Sequence, residues 1–407
     1  MLTEDSYLLA PAEGDYLSVR TVTARGGDEE IGADLARLGR TDFGARIAPY
    51  SDPIYAQARR TYLERNHPAL AARARGVAAA FGMPADGDEF DTTAVGYDVP
   101  GGPACSAVWF PPALTTTGRP LFGRNMDWYT LPLSATTGMR PGPDEHPSCS
   151  RTVLVTTVGE SGRAVAQLGC HDLVNPGYDG VNDAGLMMAL LVDHTAPGNP
   201  GTSGAGFLDH GLSSMQLIGY VLDQATTVAE AKRSLLTQHI FVPVAESQHW
   251  LIADAQGAAT VFEIDRASRQ YRFTDAPADA PFIITNHALH TYPTMDTFPA
   301  VDPSREHDSF VRYRMLSEAI GAHRGLWSPA DIDALLDVVL CAFTDDAAAG
   351  VSGGVPERTL WNYLADPVAR TYRFRFHQCD LGPEPGTNHM RVQRTDHLEW
   401  SLDKALS

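Results

Sequence analysis

The chain has 407 residues, 43% hydrophobic and 20% charged, which is an ordinary globular composition. Its formal net charge of −19 repels phosphate backbones and anionic membrane surfaces, so neither nucleic acid nor membrane is expected as a partner. The opening MLTEDSYLLAPAEGDYLSVR has acids where a secretory signal needs bases, and no apolar run reaches bilayer length, so a cytoplasmic protein is expected.

In chain order, YLSVRTVT (16–23) alternates as a strand does. DEEIGADLARLGR (28–40) opens with acids and spaces Ile31, Leu35 and Leu38 for a helix. The Ala- and Arg-rich stretch 52–83 predicts helix, broken near Asn66-His67-Pro68. A Gly-, Pro- and Asp-rich loop covers 84–104. The first hundred residues therefore read as a layer of their own, with residues 1–104 an N-terminal segment of strand plus helices and 105–407 the main domain.

From Cys105 the character changes. CSAVWF, RPLFGRNM, RTVLVTTVG and RAVAQLG read as successive strands, and YDGVNDAGLMMALLVDH (178–194) as a turn feeding another. Helices are expected at 206–223 and 227–238, then strands through 249–265, QYRFTD and PFIITNH. Helices at 304–323 and 329–343 precede a closing hairpin over 358–377, around Asp366-Pro367. The segment 130–150 is the main irregular insertion. Runs of strands, then helices, then strands predict an α+β fold of antiparallel sheets with helices on their outer faces.

Five cysteines, at 105, 149, 170, 341 and 379, form no C-x-x-C pair and no even framework. Neither a disulfide scaffold nor a structural metal is expected. No G-x-S-x-G, H-E-x-x-H or P-loop sequence occurs. Cys105 stands out because it opens a strand directly after the Gly/Pro-rich loop. A thiolate needs a base or a positive field. If the Ala104–Cys105 bond were cut, the new α-amine, with an ordinary pKa of about 7.7–8.0, could itself accept the thiol proton.

Several stretches carry a family resemblance. VRTVTARGGDEEIGADLARLGR resembles the start of a prosegment, and CSAVWF…GRPLFGRNMDW a nucleophile strand followed by an Arg/Asp strand. YDGVNDAGLMMALLV, HWLIADAQGAATVFEI and IITNH resemble a D-G-x-N-x-x-G-L turn, an H-W-x-I-x-D-x-x-G strand pair and a T-N stretch. In this order they resemble the N-terminal-nucleophile hydrolases, specifically the acyl-coenzyme A:6-aminopenicillanic acid acyltransferase family, with choloylglycine hydrolases and penicillin V acylases more distant.

The resemblance implies a four-layer αββα fold and acyl transfer from a linear amide or thioester, to water or to an amine. Substrates would be small-molecule amides or acyl-thioesters, coenzyme A thioesters included, and neither organic cofactor nor metal is required. Cys105 would be nucleophile and, once freed, its own base. Asp127 would hold the amine, Arg124 would lie beside the sulfur, and Asn286 would offer its amide to the oxyanion. A backbone N–H at Val192 or Asp193 would complete the oxyanion hole. Arg312, or Arg314 if the alignment slips, would support the site from a helix. The segment 1–104 would stay associated with the rest after the cut.

Two departures are visible. Ala104 stands where self-cleaving relatives usually have glycine, and PPALTTTG lengthens the hairpin between Cys105 and Arg124. Arg124 and Asp127 are three apart, so an ideal strand puts them on opposite faces, and a bulge or the strand end is expected to re-aim one. Plainer readings also stand. Asn182 fits a turn residue, Cys170 a packing residue, and His171, His194, His249 and His287 satisfied structural histidines. Rivals for the whole are a conventional cysteine hydrolase with a histidine base and no cut, or a catalytically silent binding relative.

Overall fold

The computed structural model describes residues 1–50, 52–98, 104–132, 134, 140, 145–195, 210–243, 247–265, 267–301, 308–343 and 356–407. The centre of the expected cut-site loop, 99–103, and parts of the 130–150 insertion lie outside them, as do 206–209 and 304–307 of two expected helices.

Two sheets face each other. The larger runs, edge to edge, through Leu2–Leu9, Ser18–Arg25, Arg151–Val158, Ala164–Gly169, Gly177–Asn182, Met187–Asp193, Ser247–Ala253, Ala259–Asp265 and Gln270–Asp275. The smaller runs through Phe282–Ile284, Ala104–Phe110, Leu121–Tyr129, Glu357–Asp366, Thr371–Pro383 and Met390–Arg394, with Leu398–Ser401 also on Thr371–Pro383. Helices Asp28–Leu38, Pro68–Phe81, Leu217–Gln224 and Val228–Leu236 cover the outer side of the large sheet. Helices Ser309–Ala322 and Pro329–Asp337 cover the outer side of the small one. This is the expected four-layer αββα order.

Strand periodicity sorts the side chains. In Ala104–Phe110 the odd residues Cys105, Ala107 and Trp109 face the other sheet, while Val108 and Phe110 join Ile283, Leu316, Ile332 and Leu335 under the helices. Every residue of this strand is buried, as a near-continuous apolar run on an inner strand requires.

The break predicted at Asn66-His67-Pro68 is there. Asp52 caps the helix Pro53–Asn66 by accepting from Ile54 N at 2.9 Å, and Pro68 opens the helix Pro68–Phe81. Helices Asp28–Leu38 and Pro68–Phe81 cross at Gly32 and Gly76, where a Cβ would sit 2.0 and 1.8 Å from the other helix's backbone. Beside this crossing Asp28 pairs with Arg73 at 2.9 Å.

Three expectations need correction. Residues 1–104 are not a layer of their own, because Leu2–Leu9 and Ser18–Arg25 are strands of the large sheet. Nor is that sheet wholly antiparallel. Ser18–Arg25 runs parallel to Arg151–Val158 through eight consecutive pairs, from Ser18↔Arg151 to Arg25↔Val158. A parallel pair needs a long crossover, and the connection from Arg25 to Arg151 carries the helices of residues 28–81 and the strands Ala104–Phe110 and Leu121–Tyr129 of the small sheet. Third, Cys149 and Cys170 form a disulfide with Cα atoms 4.9 Å apart. The strands Arg151–Val158 and Ala164–Gly169 form a hairpin, which brings its two open ends, and so these cysteines, together. Among the described residues no helix is long and apolar enough to cross a membrane.

Candidate active site

Cys105 is the second residue of Ala104–Phe110, an inner strand beside the edge strand of the small sheet, and its neighbours come from both sheets. Strand register sets Ala104 opposite Asp127, Cys105 opposite Met126 and Ala107 opposite Arg124, without interruption. Neither a bulge in their strand nor its end therefore brings Arg124 and Asp127 to one face. A register shift lies instead on Glu357–Asp366, between Thr359 and Trp361. Arg124 points between the sheets and Asp127 towards the helices, so the two flank Cys105 from opposite faces.

On the inner face, Arg124 Nη2 donates to Cys105 Sγ at 3.3 Å and to the Leu190 carbonyl. Its Nη1 donates to the Tyr178 carbonyl at 3.2 Å and pairs with Asp179. Burial opposes the charge of Arg124, and Asp179 restores it. Asp179 also accepts from Tyr363 Oη at 2.7 Å and Trp361 Nε1 at 3.2 Å. The Cys105 thiol is pushed above its ordinary pKa by burial, with Arg124 pulling the other way.

The backbone of Cys105 is held separately. Its N–H donates to Asn286 Oδ1 at 2.7 Å. Its carbonyl accepts from Arg312 Nη1, which also donates to Ser106 Oγ at 2.7 Å. Arg312 Nη2 donates to Asn286 Oδ1 at 2.7 Å. Arg314 lies 5.4 Å over the Phe298 ring instead, so Arg312 is the helical arginine at this place. Asn286 Nδ2 donates to the Val192 carbonyl at 2.6 Å, which leaves one of its two amide hydrogens for another acceptor.

Val192 and Asp193 differ in direction. The carbonyls of Leu190 and Val192 meet Arg124 and Asn286, so these alternate residues turn their backbone groups towards the site. The N–H of Val192 shares that side. Asp193 turns its backbone towards Ser247 in the neighbouring strand, and its side chain accepts from Thr195 N at 2.8 Å.

Asp127 accepts from Thr359 Oγ1, and its other oxygen is buried with no partner among the described residues. Burial pushes its pKa up to about 6, against the pull of Arg312, Thr359 and Arg124. In this uncut chain it is Asn286 that meets the Cys105 nitrogen, while Asp127 sits across from Ala104.

Asn182 takes the place of a turn residue, accepting from Ala184 N and Leu186 N and donating to the carbonyls of Leu222 and Ala225. Among the described residues no histidine hydrogen-bonds Cys105 Sγ. His171 is buried against Tyr178, and burial lowers its pKa to about 3. His249 bonds Glu263, His287 bonds Thr285 and Ser309, and the His194 N–H bonds the Asn286 carbonyl. Cys170, expected as packing, is in the disulfide. Among the described residues no three His, Cys, Asp or Glu side chains converge as metal ligands.

Asp179, Thr359 and Ser106 were missed by the sequence reading. Asp179 lay inside YDGVND, whose turn-like character hid a side chain aimed at the opposite sheet.

The two facing sheets between helical layers make a four-layer αββα fold, with Cys105 near the start of an inner strand of the small sheet. Residues 114–320, just over half of the chain, match the family described as acyl-coenzyme A:6-aminopenicillanic acid acyl-transferase. The chain belongs to that family and is an enzyme of the acyltransferase class. The match includes Arg124, Asp127, Asn286 and Arg312, and begins nine residues after Cys105. Among solved structures, the chain resembles a conjugated bile acid hydrolase from Clostridium perfringens at 14% identity and TM-score 0.45, over 72% of this chain and 97% of that one. It also resembles a penicillin V acylase from Agrobacterium tumefaciens at 17% identity and TM-score 0.41, over 72% and 86%. No curated protein matches the sequence.

Proposed function

We propose that this enzyme cuts its own Ala104–Cys105 bond and then transfers acyl groups through Cys105. One observation carries the reading. The nitrogen and carbonyl of Cys105 are gripped by Asn286 and Arg312, and its sulfur by Arg124, with no histidine at the sulfur among the described residues. A base is still needed, and the α-amine released by a cut would stand where the site already holds that nitrogen.

In the first step Sγ attacks the Ala104 carbonyl carbon. The C–S bond forms, the C–N bond breaks, and the thiol proton passes to the leaving nitrogen. Water then hydrolyses the thioester, leaving a carboxylate on Ala104 and a free thiol and amine on Cys105. Asp127, opposite Ala104 with one oxygen unpartnered among the described residues, is the acid–base group for this step and the later anchor for the amine.

With substrate, the amine takes the thiol proton and Sγ adds to the amide or thioester carbonyl. The remaining amide hydrogen of Asn286 and the Val192 N–H serve the developing oxyanion. The leaving group takes the proton, and water or an amine accepts the acyl group from sulfur. The eight-pair strand seam of Ser18–Arg25 keeps segment 1–104 attached, together with the contact of Arg59 to Gln216 at 3.0 Å.

The test is a panel of amide and coenzyme A thioester donors, with peptide mass spectrometry after brief exposure. The expected result is an acyl mass on a peptide beginning at Cys105. An acyl mass on another residue, or turnover with Cys105 unmodified, contradicts the proposal.

A further inference from the structure

The large sheet holds a buried carboxylate that the chemistry above does not use. Glu263 lies in Ala259–Asp265, opposite His249 in register and 3% exposed. Its Oε1 accepts from Leu289 N at 2.7 Å and His249 Nδ1 at 3.4 Å. Its Oε2 accepts from His290 N at 2.9 Å and His290 Nδ1 at 3.1 Å. Four donors thus meet the acceptor sites of one carboxylate, and two of them are backbone N–H groups of consecutive residues.

Those residues end the short segment that begins at Asn286. The segment leaves the edge strand Phe282–Ile284 of the small sheet and reaches the large sheet within four residues. Two more tethers hold it. His194 N donates to the Asn286 carbonyl at 2.9 Å, and Ala288 N donates to Thr195 Oγ1 at 3.0 Å. Asn286 itself is the group that meets the Cys105 nitrogen, Arg312 and the Val192 carbonyl.

We infer that Glu263 is a positioning residue for acyl transfer: by fixing the turn 287–290 it sets where the Asn286 side chain stands relative to Cys105. The inference rests on the role given to Asn286 above. Burial opposes ionisation of Glu263, yet the hydrogen bonds of His249 and His290 bring its pKa down to about 2, so the clamp stays charged at working pH. Glutamine cannot replace it. Whichever way its amide turns, the NH2 group meets a backbone N–H, and two donors then face each other. An imidazole can shift its proton to the other nitrogen, but a peptide N–H cannot.

The test compares Glu263→Gln, Glu263→Asp and wild type, using an amide donor that wild type turns over and a thiol-reactive acyl probe for Cys105. E263Q should lower kcat by about tenfold or more while KM stays within about twofold, because a displaced Asn286 weakens the oxyanion more than ground-state binding. Acylation of Cys105 should slow in parallel, and E263D, which keeps the charge, should recover part of kcat. Thr195→Val loosens the same turn from its other tether and should give the same split at about threefold, so the inference stays testable if E263Q does not fold. Wild-type kcat in E263Q, or in T195V, overturns the inference. So does a loss in which KM and thermal midpoint change together with kcat. If wild type forms no acyl-Cys105, the functional reading fails and this inference with it. If wild type and E263Q acylate at equal rates, this inference alone fails.

Discussion

The two faces of the strand pair Ala104–Phe110 and Leu121–Tyr129 bury acids on different terms. Between the sheets, Asp179 meets Arg124, Tyr363 and Trp361, and both of its oxygens are used. Under the helices, Asp127 has Thr359 on one oxygen and, among the described residues, no partner on the other. The inner acid compensates a buried cation that touches the sulfur. The outer acid is held half-satisfied beside the Ala104–Cys105 bond, with its pKa raised to about 6. A saturated acid is explained by stability, whereas one left short of partners in the interior points to chemistry.

Four substitutions break or sharpen this contrast. Cys105→Ala removes the group both faces serve. It should abolish turnover and leave a single uncut chain, as read by substrate assay and intact mass. Asp179→Asn leaves Arg124 without its counter-charge between the sheets and should cost about 3–5 kcal/mol in denaturant unfolding. A loss below about 1 kcal/mol would show that Arg124 needs no inner partner.

Asp127→Asn should act with the opposite sign. A carboxyl whose pKa is about 6 in the fold, against an ordinary 3.8, binds an extra proton in the native state between those values. Stability therefore falls as pH rises from about 4 to 6 and stays lower above that range. Asparagine removes this decline. In the uncut Cys105→Ala background, where no freed amine meets residue 127, D127N should be more stable by about 3 kcal/mol at pH 7–8 and equal near pH 4; with Cys105 restored, the D127N protein is assayed for activity. Its turnover should nonetheless fall about 100-fold, as expected when an acid–base group is removed. Lower stability at pH 8 would place Asp127 with Asp179 as a structural acid.

Thr359→Val has the smallest expected effect. It deletes the hydroxyl that donates to Asp127 and leaves the N–H of Cys341, which that hydroxyl accepts at 2.8 Å, without its partner. The cost should be about 1–2 kcal/mol by thermal or chemical unfolding. Because the Thr359 bond lowers the Asp127 pKa, its loss should move the acid limb of the activity profile to higher pH.

What the sequence made legible follows from the range of each signal. The helix break at Pro68, the hairpin around Asp366-Pro367 and the inner strand of Cys105 are written in local turn residues and apolar runs. Cys105, Arg124, Asn286 and Arg312, gathered on resemblance, do lie within hydrogen-bond reach of one another. Asp179 could not be read, since only the stacking of two sheets brings it to Arg124. Leu2–Leu9 was missed because an exposed edge strand needs no apolar alternation. Its neighbour Ser18–Arg25 joins a partner more than 120 residues away, a pairing that no local pattern records. The Cys149–Cys170 bond depends on hairpin geometry rather than on spacing.

The central claim is that Cys105 works as a newly made N-terminus. Intact-mass measurement of purified wild type and C105A protein tests it directly. The expected result is two chains in wild type, the second beginning at Cys105, and one uncut chain in C105A. A wild-type chain that remains uncut yet fully active, or a C105A chain cut at the same bond, would contradict it.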